Sequence, residues 1–480
     1  MQNRTISERQ ADVFLLISVA VLMLNFVSQI AAFPFQVMLI VYAVVKSDIK
    51  LFPGLFVALH DKACFPDFGA ELLKFYVGIA VSSENVFLIA VSITVVFRMF
   101  RNQRAAESIW SILLFWLLAI VPALVMSNQA RSDGLASWQE PIVCFLTPAL
   151  YFWGWLVGRT WEESRVYFIK RMSLLFLIVN VLSIGRHYYV FSFVQGPFSV
   201  GLAAAAVFGK CSFGCKLLSL GCCVAGLIYA MFGRYISMQE ATGYAGTAEL
   251  GSTFTVVMTI IFSIMISVIS CLSARASKTI RFIPVMFIVF LTLVFVYAVG
   301  RAESKGGTDV HNDYQNIVER FEYKLIGDRG AVWADGIQDA LKPPWFFKRY
   351  RDYLITEIKP NGEVVLAMKM PPHNQILTLL VRHGWWLGLF CIIFLFWMHF
   401  RMFNRISFMI YDKIMICALL APSAAVFYAV GLTGQSVWSV AFTSNGLVTL
   451  IFPGIVCGAF IDREKHSRGW MQYAYIMDKR

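Results

Sequence analysis

The sequence predicts an all-α, polytopic membrane protein in which about 12 to 14 transmembrane helices are joined to one long extracytoplasmic cap loop. Of its 480 residues, 58% are hydrophobic and only 15% are charged. Soluble domains contain about 45–50% apolar and about 25% charged residues, so this composition excludes a soluble globular protein. The apolar residues also occur in runs of roughly 20, the length that crosses a hydrocarbon core of about 30 Å.

The longest apolar runs supply the predicted spans in chain order. They lie at residues 11–31, 76–97, 108–126, 142–158, 172–186, 216–232, 252–274, 281–299, 384–400, 412–432 and 445–461. Two shorter runs, 33–45 and 190–208, are added to this set. Residues 51–59 are too few to cross the membrane and are interpreted as a re-entrant segment.

The distribution of Lys and Arg predicts how these spans are oriented. The chain has 41 Lys and Arg residues against 29 Asp and Glu residues, a formal net charge of +12. In a soluble protein this excess would indicate nucleic-acid binding, but in a membrane protein it collects in short cytoplasmic loops. Basic links such as 98–104 and 159–171 alternate with links poor in basic residues, such as 127–141 and 433–444. We therefore expect both termini in the cytoplasm and no nucleic-acid partner.

Residues 301–372 form a connection far longer than the others, and the alternation of loops places it outside the cytoplasm. It holds 11 acidic and 11 basic residues, so the charge excess lies elsewhere. Its aromatic residues and a helical pattern at 313–325 favour a small folded cap, with a strand at 363–368 after a turn at 360–362. The chain thus divides into an N-terminal bundle (1–300), the cap loop (301–372) and C-terminal helices with a tail (373–480).

Two short motifs mark this loop and its end. The first is DRGAVW at 328–333, and the second is HNQIL at 373–377, followed by GWWLG at 384–388. The pair resembles the O-antigen ligase and O-antigen polymerase superfamily of bacterial envelope glycosyltransferases. Members of that family carry a Gly-Arg-x-x-x-Trp-like element and a His-Asn-x-x-Leu element in one large periplasmic loop. Asp-Arg stands here where the family has Gly-Arg.

The resemblance implies a GT-C-like helical bundle and a glycosyltransferase that moves a glycan from an undecaprenyl-diphosphate carrier to an acceptor hydroxyl. His373 then matches the catalytic base or the residue that orients the acceptor, and Arg329 matches the cation that holds the diphosphate. Each also has a structural interpretation. His373 would help Asn374 to cap the following helix, and Arg329 would pair with Asp328 or Asp335.

Four further residues are candidates for binding the substrate. Asn374 belongs to the His-Asn motif, and Arg234 is the nearest match to a further arginine that the family has at the outer end of a span. Arg186 ends the span 172–186, where a charge is expensive and is either functional or an interfacial anchor. Arg382 follows His373 closely enough to face the same cavity.

The loop also bears on cofactors and partners. No metal or other cofactor is predicted, because its acidic residues form no Asp-x-Asp motif and because the chain lacks phosphate-loop and dinucleotide motifs. The resemblance implies a carrier-linked oligosaccharide donor, a glycan or lipid A-core acceptor, and membrane lipids as partners. A chain-length regulator and a flippase are the implied protein partners, and the location is a bacterial inner membrane with the active loop in the periplasm.

Several functions share these features. Polymerisation of O-antigen or exopolysaccharide repeat units is our first interpretation, and ligation of the finished glycan to lipid A-core or another acceptor is the alternative. A polysaccharide transporter or flippase would show internal repeats and deep ionisable residues, whereas we find only Glu84 and Asn85 within the span 76–97. A structural or sensory membrane scaffold would not need a basic, aromatic loop beside the lipid.

Overall fold

Helices account for nearly all of the secondary structure in the computed structural model. It describes residues 6–59, 83–101, 145–183, 192–228, 248–272, 282, 286, 328–343, 345–346, 354–358, 364–368, 374–406, 412–433 and 447–459. The helices are α1 (Glu8–Val27), α2 (Gln29–Lys46), α3 (Phe52–Leu59), α4 (Ser83–Arg101), α5 (Pro148–Gly158), α6 (Trp161–Ser183), α7 (Ser192–Phe208), α8 (Phe213–Ile228), α9 (Ala248–Leu272), α10 (Asp328–Leu341), α11 (Gln375–Asn404), α12 (Lys413–Met415), α13 (Ala421–Thr433) and α14 (Phe452–Ala459). For these residues the helical prediction is confirmed, with one hairpin added.

That hairpin is the part of the cap in which a predicted strand can be checked. β1 (Leu354–Ile358) pairs antiparallel with β2 (Val364–Met368), and Leu354 lies opposite Met368. The strand predicted at 363–368 is therefore confirmed. The predicted turn at 360–362 and the helical pattern at 313–325 lie outside the described residues, as do the span 108–126 and nearly all of 281–299.

Helix α6 departs most from the sequence prediction. It begins at Trp161, whereas the predicted span begins at residue 172 and the residues before it were assigned to a loop. Glu162 and Glu163 stand in its first turn. Glu and Arg favour helix, and the negative charges suit the positive end of the helix dipole, so the helix continues through the charged stretch.

Glycines bring α5 and α14 into backbone contact. Each helix carries a Gly-x-x-x-Gly pair, Gly154 with Gly158 and Gly454 with Gly458. A Cβ atom on Gly154 would collide with the carbonyl oxygen of Ile451, which directly precedes α14, and one on Gly158 with that of Ile455. A Cβ atom on Gly454 or Gly458 would collide with the carbonyl oxygen of Tyr151 or Trp155. Small residues spaced by four let two helix backbones approach closely, which is typical of packing within a membrane.

The short helix α3 lies in the centre of the bundle. All eight of its residues are buried, and at about 1.5 Å per residue it is too short to cross a bilayer. Phe52 and Phe56 of α3 belong to a ring of phenylalanines completed by Phe452, Phe198 and Phe176, with neighbouring ring centroids 4.8 to 5.9 Å apart. These contacts tie α3 to α6, α7 and α14.

Two π-helical turns interrupt the C-terminal helices. They span Ile416–Leu420 and Leu447–Ile451, and a proline follows each by two residues, Pro422 and Pro453. A proline inside a helix removes one N–H and its ring clashes with the carbonyl four residues earlier, which a wider turn relieves. The first π turn packs on α7, where Gly201 admits the carbonyl of Cys417.

Charged and polar side chains gather where the start of α1 meets two tight turns. The Asp48 carboxylate accepts a hydrogen bond from the Ile6 amide at 2.9 Å, and the Lys50 ammonium donates to the Ile6 carbonyl at 2.9 Å. The Ile49 amide donates to the Thr160 hydroxyl at 3.0 Å. The α2–α3 turn and the α5–α6 turn therefore lie at the same end of the bundle as residue 6.

Further polar contacts extend this end of the bundle. Tyr167 of α6 donates to Asp12 of α1 at 2.8 Å, and burial together with this carboxylate raises the pKa of Tyr167 well above its usual value. The Trp161 indole donates to the buried Asp412 at 3.0 Å, and Arg165 lies 3.6 Å from the same carboxylate. Trp161, Arg165 and Tyr167 lie in the link 159–171, and Asp412 lies beside Lys413 in another basic link, both of which the loop charges assign to the cytoplasmic side.

The outer faces of the helices expose large apolar side chains. Leu16 of α1, Ile93 of α4 and Leu217 of α8 are 68%, 64% and 63% exposed. Within the part of the chain that the structure describes, α11 is the one helix whose length and composition suffice to cross a membrane, and shorter apolar helical stretches have 10–17 residues.

Candidate functional site

The two motif-bearing segments of the loop meet in one structural unit, in which α10 packs against α11. Arg329 is the second residue of α10, and Asn374 directly precedes α11. Ala340 of α10 forms a small apolar cluster with Leu380 and Val381 of α11. This α10–α11 unit is the candidate site, because it joins residues that lie more than 40 positions apart in the sequence.

Asn374 is the N-cap of α11. Its backbone is extended (φ −137°, ψ 122°), and its side-chain oxygen accepts hydrogen bonds from the amides of Ile376 at 3.0 Å and Leu377 at 3.2 Å. Asparagine is among the best N-cap residues for this reason. The side-chain oxygen of Asn374 thus serves the helix, as in the structural interpretation given for this motif.

Helix α11 breaks sharply at Gly384, which has φ 75° and ψ 178°. The break separates an entry helix, residues 375–383, from a long segment, residues 385–404. The long segment of 20 residues spans about 30 Å, the thickness of a hydrocarbon core. A Cβ atom on Gly388 would lie 2.7 Å from the Leu379 carbonyl oxygen, so the entry helix folds back against the long segment.

A tryptophan and a phenylalanine from the loop dock onto this break. The Trp385 amide donates to the Trp345 carbonyl at 2.7 Å, and the Trp386 amide donates to the Phe346 carbonyl at 3.3 Å. The Trp385 indole donates to the Ala340 carbonyl at 2.8 Å. A helix start leaves its first amides without partners inside the helix, and here carbonyls of the loop satisfy two of them.

An apolar groove lies beside the docked residues, with a volume of about 520 Å³. It is open on one side and lined by Leu341, Trp345, Phe346, Trp385, Trp386, Leu389, Phe390 and Ile393. The groove therefore connects the end of α10, the docked loop residues and the first turns of the long segment.

The structure covers the predicted site residues unequally. His373, Arg186 and Arg234 lie outside the described residues. Arg329 is placed by its backbone in the first turn of α10, and Arg382 is half-buried at the end of the entry helix. The roles assigned to all of them remain predictions. Glu84 and Asn85, considered for transport, belong to α4, but their side chains also lie outside what is described.

Sequence reasoning missed the docking of Trp345 and Phe346. The glycine at 384 inside an apolar run signalled a special backbone position, because glycine is the residue that adopts positive φ without strain. The identity of the residues that dock there had no comparable signal, since they lie some 40 positions away.

In the described segments, no group of three or more His, Cys, Asp or Glu side chains is arranged to hold a metal ion.

Comparison of the chain with family models, with curated proteins and with solved structures finds no match.

Proposed function

We propose that the chain is a multi-pass membrane protein with both termini in the cytoplasm. The support is physical. Large apolar side chains cover the outer faces of α1, α4 and α8, and the α5 and α14 backbones are in glycine-mediated contact, as is typical of membrane helices. A soluble monomer rarely exposes so much apolar surface.

The proposed orientation is supported by the polar end of the bundle. Ile6 belongs to the N-terminus, which is predicted to be cytoplasmic, and Thr160 and Asp412 lie in two links that the loop charges assign to the cytoplasm. Hydrogen bonds join Ile6 to Asp48, and the turns at 49 and 160 to each other. If the alternation of basic and basic-poor links had been misinterpreted, the N-terminus and these links would lie at opposite ends of the bundle.

We further propose that the protein is a metal-independent glycosyltransferase of the extracytoplasmic face, acting on a glycan linked to undecaprenyl diphosphate. The observation that carries this proposal is the α10–α11 unit, in which the helix that begins with Asp328-Arg329 packs on the helix that follows His373-Asn374. Two motifs that resemble one family's paired elements therefore belong to one local structure beside a helix of membrane length.

The chemistry assigned to the motif residues follows from the reaction. The acceptor hydroxyl forms a bond to the anomeric carbon of the donor sugar while the bond to the diphosphate breaks. The hydroxyl proton passes to His373, for which a neutral imidazole is suited. Negative charge develops on the leaving diphosphate, and Arg329 stabilises it through a planar, permanently charged fork. Arg186, Arg234, Arg382 and Asn374 are the candidates for holding the rest of the substrate.

The proposal is tested on purified protein in liposomes that contain a carrier-linked repeat unit. His373→Ala should abolish glycan transfer, and Arg329→Lys should lose most of it because lysine keeps the charge without the bidentate geometry. Lys342→Gln is the matched control, since Lys342 is an exposed cation of the same loop that pairs with Asp339 at 3.1 Å. Wild-type transfer by either motif variant would refute the assignment.

Deletion of the gene separates polymerase from ligase. Polymerisation of O-antigen or exopolysaccharide repeat units is our first proposal, and it predicts glycans that stop at a single repeat unit. A ligase would instead leave long polymer on the carrier and none on lipid A-core or another acceptor. Repeat units that stay on the cytoplasmic face of the membrane would show a flippase and contradict both.

A further inference from the structure

Two cysteine thiols from distant parts of the chain are in contact inside the bundle. The Sγ atom of Cys271, in the last turn of α9, lies 3.5 Å from that of Cys417, in the first π turn, although the two residues are 146 positions apart in the sequence. Both cysteines are free. Cys417 is fully buried and Cys271 is 8% exposed. The proposed glycan transfer uses neither side chain.

Packing of three elements holds the two thiols together. The π turn that carries Cys417 packs on α9 and on α7. The Cys417 carbonyl lies so near Gly201 of α7 that a Cβ atom on this glycine would be 2.4 Å from the oxygen. The Ser263 hydroxyl of α9 donates to the Pro197 carbonyl of α7 at 3.3 Å. The thiols therefore meet between backbones that are fixed to one another, and not at the ends of long, flexible side chains.

The thiol pair lies close to the end of the bundle that we propose to face the cytoplasm. Cys417 follows Asp412 by five residues, and Asp412 accepts the hydrogen bond from the Trp161 indole at that end. Since a helix rises about 1.5 Å per residue, Cys417 lies within about 8 Å of Asp412 along the helix axis. The cytoplasm keeps thiols reduced, and the disulfides that form there are usually transient and redox-sensing. The reduced pair is therefore the expected resting state.

We propose that Cys271 and Cys417 are a modification site at which hydrogen peroxide, or a hydroperoxide of similar size, forms a disulfide. The inference goes beyond the proposed glycan transfer, and it uses the proposed orientation only to name the compartment that supplies the oxidant. A disulfide holds its sulfur atoms about 2.0 Å apart, so side-chain rotation and a small shift of the helices have to bring these two about 1.5 Å closer.

The oxidation takes place in two balanced steps. The Cys271 sulfur, which is the more exposed of the two, attacks one oxygen of hydrogen peroxide. An S–O bond forms, the O–O bond breaks, and the leaving hydroxide takes the thiol proton, which gives a sulfenic acid and water. The Cys417 sulfur then attacks the Cys271 sulfur, and the sulfenic hydroxyl leaves with the Cys417 proton as a second water. The two thiols are oxidised and the peroxide is reduced.

Burial of the pair selects the oxidant. Thiol–disulfide exchange requires a second disulfide to reach the attacking sulfur, and access therefore limits its rate. With 0% and 8% of these side chains exposed, a bulky disulfide is excluded from both. Hydrogen peroxide is uncharged and little larger than water, so it can reach Cys271 through small fluctuations at the end of α9.

The disulfide would join α9 covalently to the C-terminal helices. The closed loop runs from Cys271 to Cys417 and contains α10 and α11. Closing a loop of this length restricts the unfolded chain far more than it restricts the folded one. The oxidised protein should therefore unfold at a higher denaturant concentration than the reduced protein, and treatment with dithiothreitol should remove the difference.

Mass spectrometry without reduction tests the proposal. The full-length protein in liposomes is treated with a small excess of hydrogen peroxide, denatured, alkylated to block the remaining thiols, and digested. We expect a cross-linked pair of peptides that contains Cys271 and Cys417, with equal loss of the two alkylated peptides. Cys222 of α8 is the matched thiol, because it is also fully buried, and its peptide should be alkylated as in untreated protein.

Two variants complete the test. Cys271→Ser should abolish the cross-linked peptide and the rise in the unfolding midpoint, whereas Cys222→Ser should leave both unchanged. The measurement on the unsubstituted protein stands by itself if a variant fails to fold.

Three results would overturn the proposal. In the first, both cysteines stay alkylatable after treatment. In the second, Cys271 is oxidised to a sulfinic acid without a cross-link, which would mean that Cys417 does not reach it. In the third, Cys271 forms cross-links to Cys211 or Cys215 as often as to Cys417. Since no glycan enters the measurement, failure of the proposed glycan transfer leaves each of these results interpretable.

Discussion

Replacement of Gly384 by alanine should destabilise the protein by about 2 kcal/mol. Gly384 has φ 75° and ψ 178°, a backbone conformation that is essentially restricted to glycine. An alanine at this position has two ways to respond. It either keeps the break and bears the strain, or it relaxes toward a helical conformation and straightens α11.

Both responses lead to a similar magnitude. A residue held in a sparsely populated backbone region costs about 1–3 kcal/mol. A straightened helix would lose the two hydrogen bonds from the Trp385 and Trp386 amides to the Trp345 and Phe346 carbonyls. At about 0.5–1.5 kcal/mol for each bond, this loss is also about 1–3 kcal/mol. A glycine in an ordinary helical position behaves oppositely, since alanine there stabilises by about 0.5–1 kcal/mol.

The matched control is Gly221→Ala in α8, where an added Cβ would meet only a Leu177 methyl group at 4.0 Å. Unfolding of both variants is followed in detergent by tryptophan fluorescence against denaturant. We expect a lower midpoint for Gly384→Ala and an equal or higher midpoint for Gly221→Ala. If Gly384→Ala were as stable as Gly221→Ala, the break in α11 would not be a required feature of the fold.

Substitutions at two further positions, Gly454 and Asn374, separate packing and capping from substrate binding. Gly454→Ala should destabilise the protein by about 1–3 kcal/mol, because the added Cβ would collide with the Tyr151 carbonyl in the α5–α14 contact. The control is Gly214→Ala, since Gly214 has open space around it. Equal stability of the two variants would refute the backbone contact. Asn374→Ala should lose about 0.5–2 kcal/mol as its cap is removed, whereas Asn374→Asp should keep the cap. Glycan transfer measured for a stable Asn374→Asp variant then reports on the amide nitrogen: retained activity means that Asn374 acts only as a cap, and lost activity supports substrate binding.

Local pattern accounts for the features that were predicted well. The capping role weighed for Asn374 as the structural alternative, the strand at 363–368 and the position of most helices follow from residue type and spacing within a few turns of the chain. The predicted span at 172–186 was shorter than α6 because only apolar residues were counted as a membrane span. The charged residues before it favour helix but were interpreted as a loop. The candidate site was predicted only in part, since its residues were named without knowledge of what packs beside them.

Composition, apolar run length and the placement of Lys and Arg were enough to predict a helical, membrane-type chain and an orientation for it, because burial in lipid and the location of charge are properties of individual segments. Tertiary structure alone decided that Gly154 and Gly158 face Gly454 and Gly458, and that Trp345 and Phe346 dock onto the break at Gly384. These contacts join residues that are about 40 to 300 positions apart. The free energy of such a contact depends on shape and on hydrogen-bond geometry that exists only once both partners are in place.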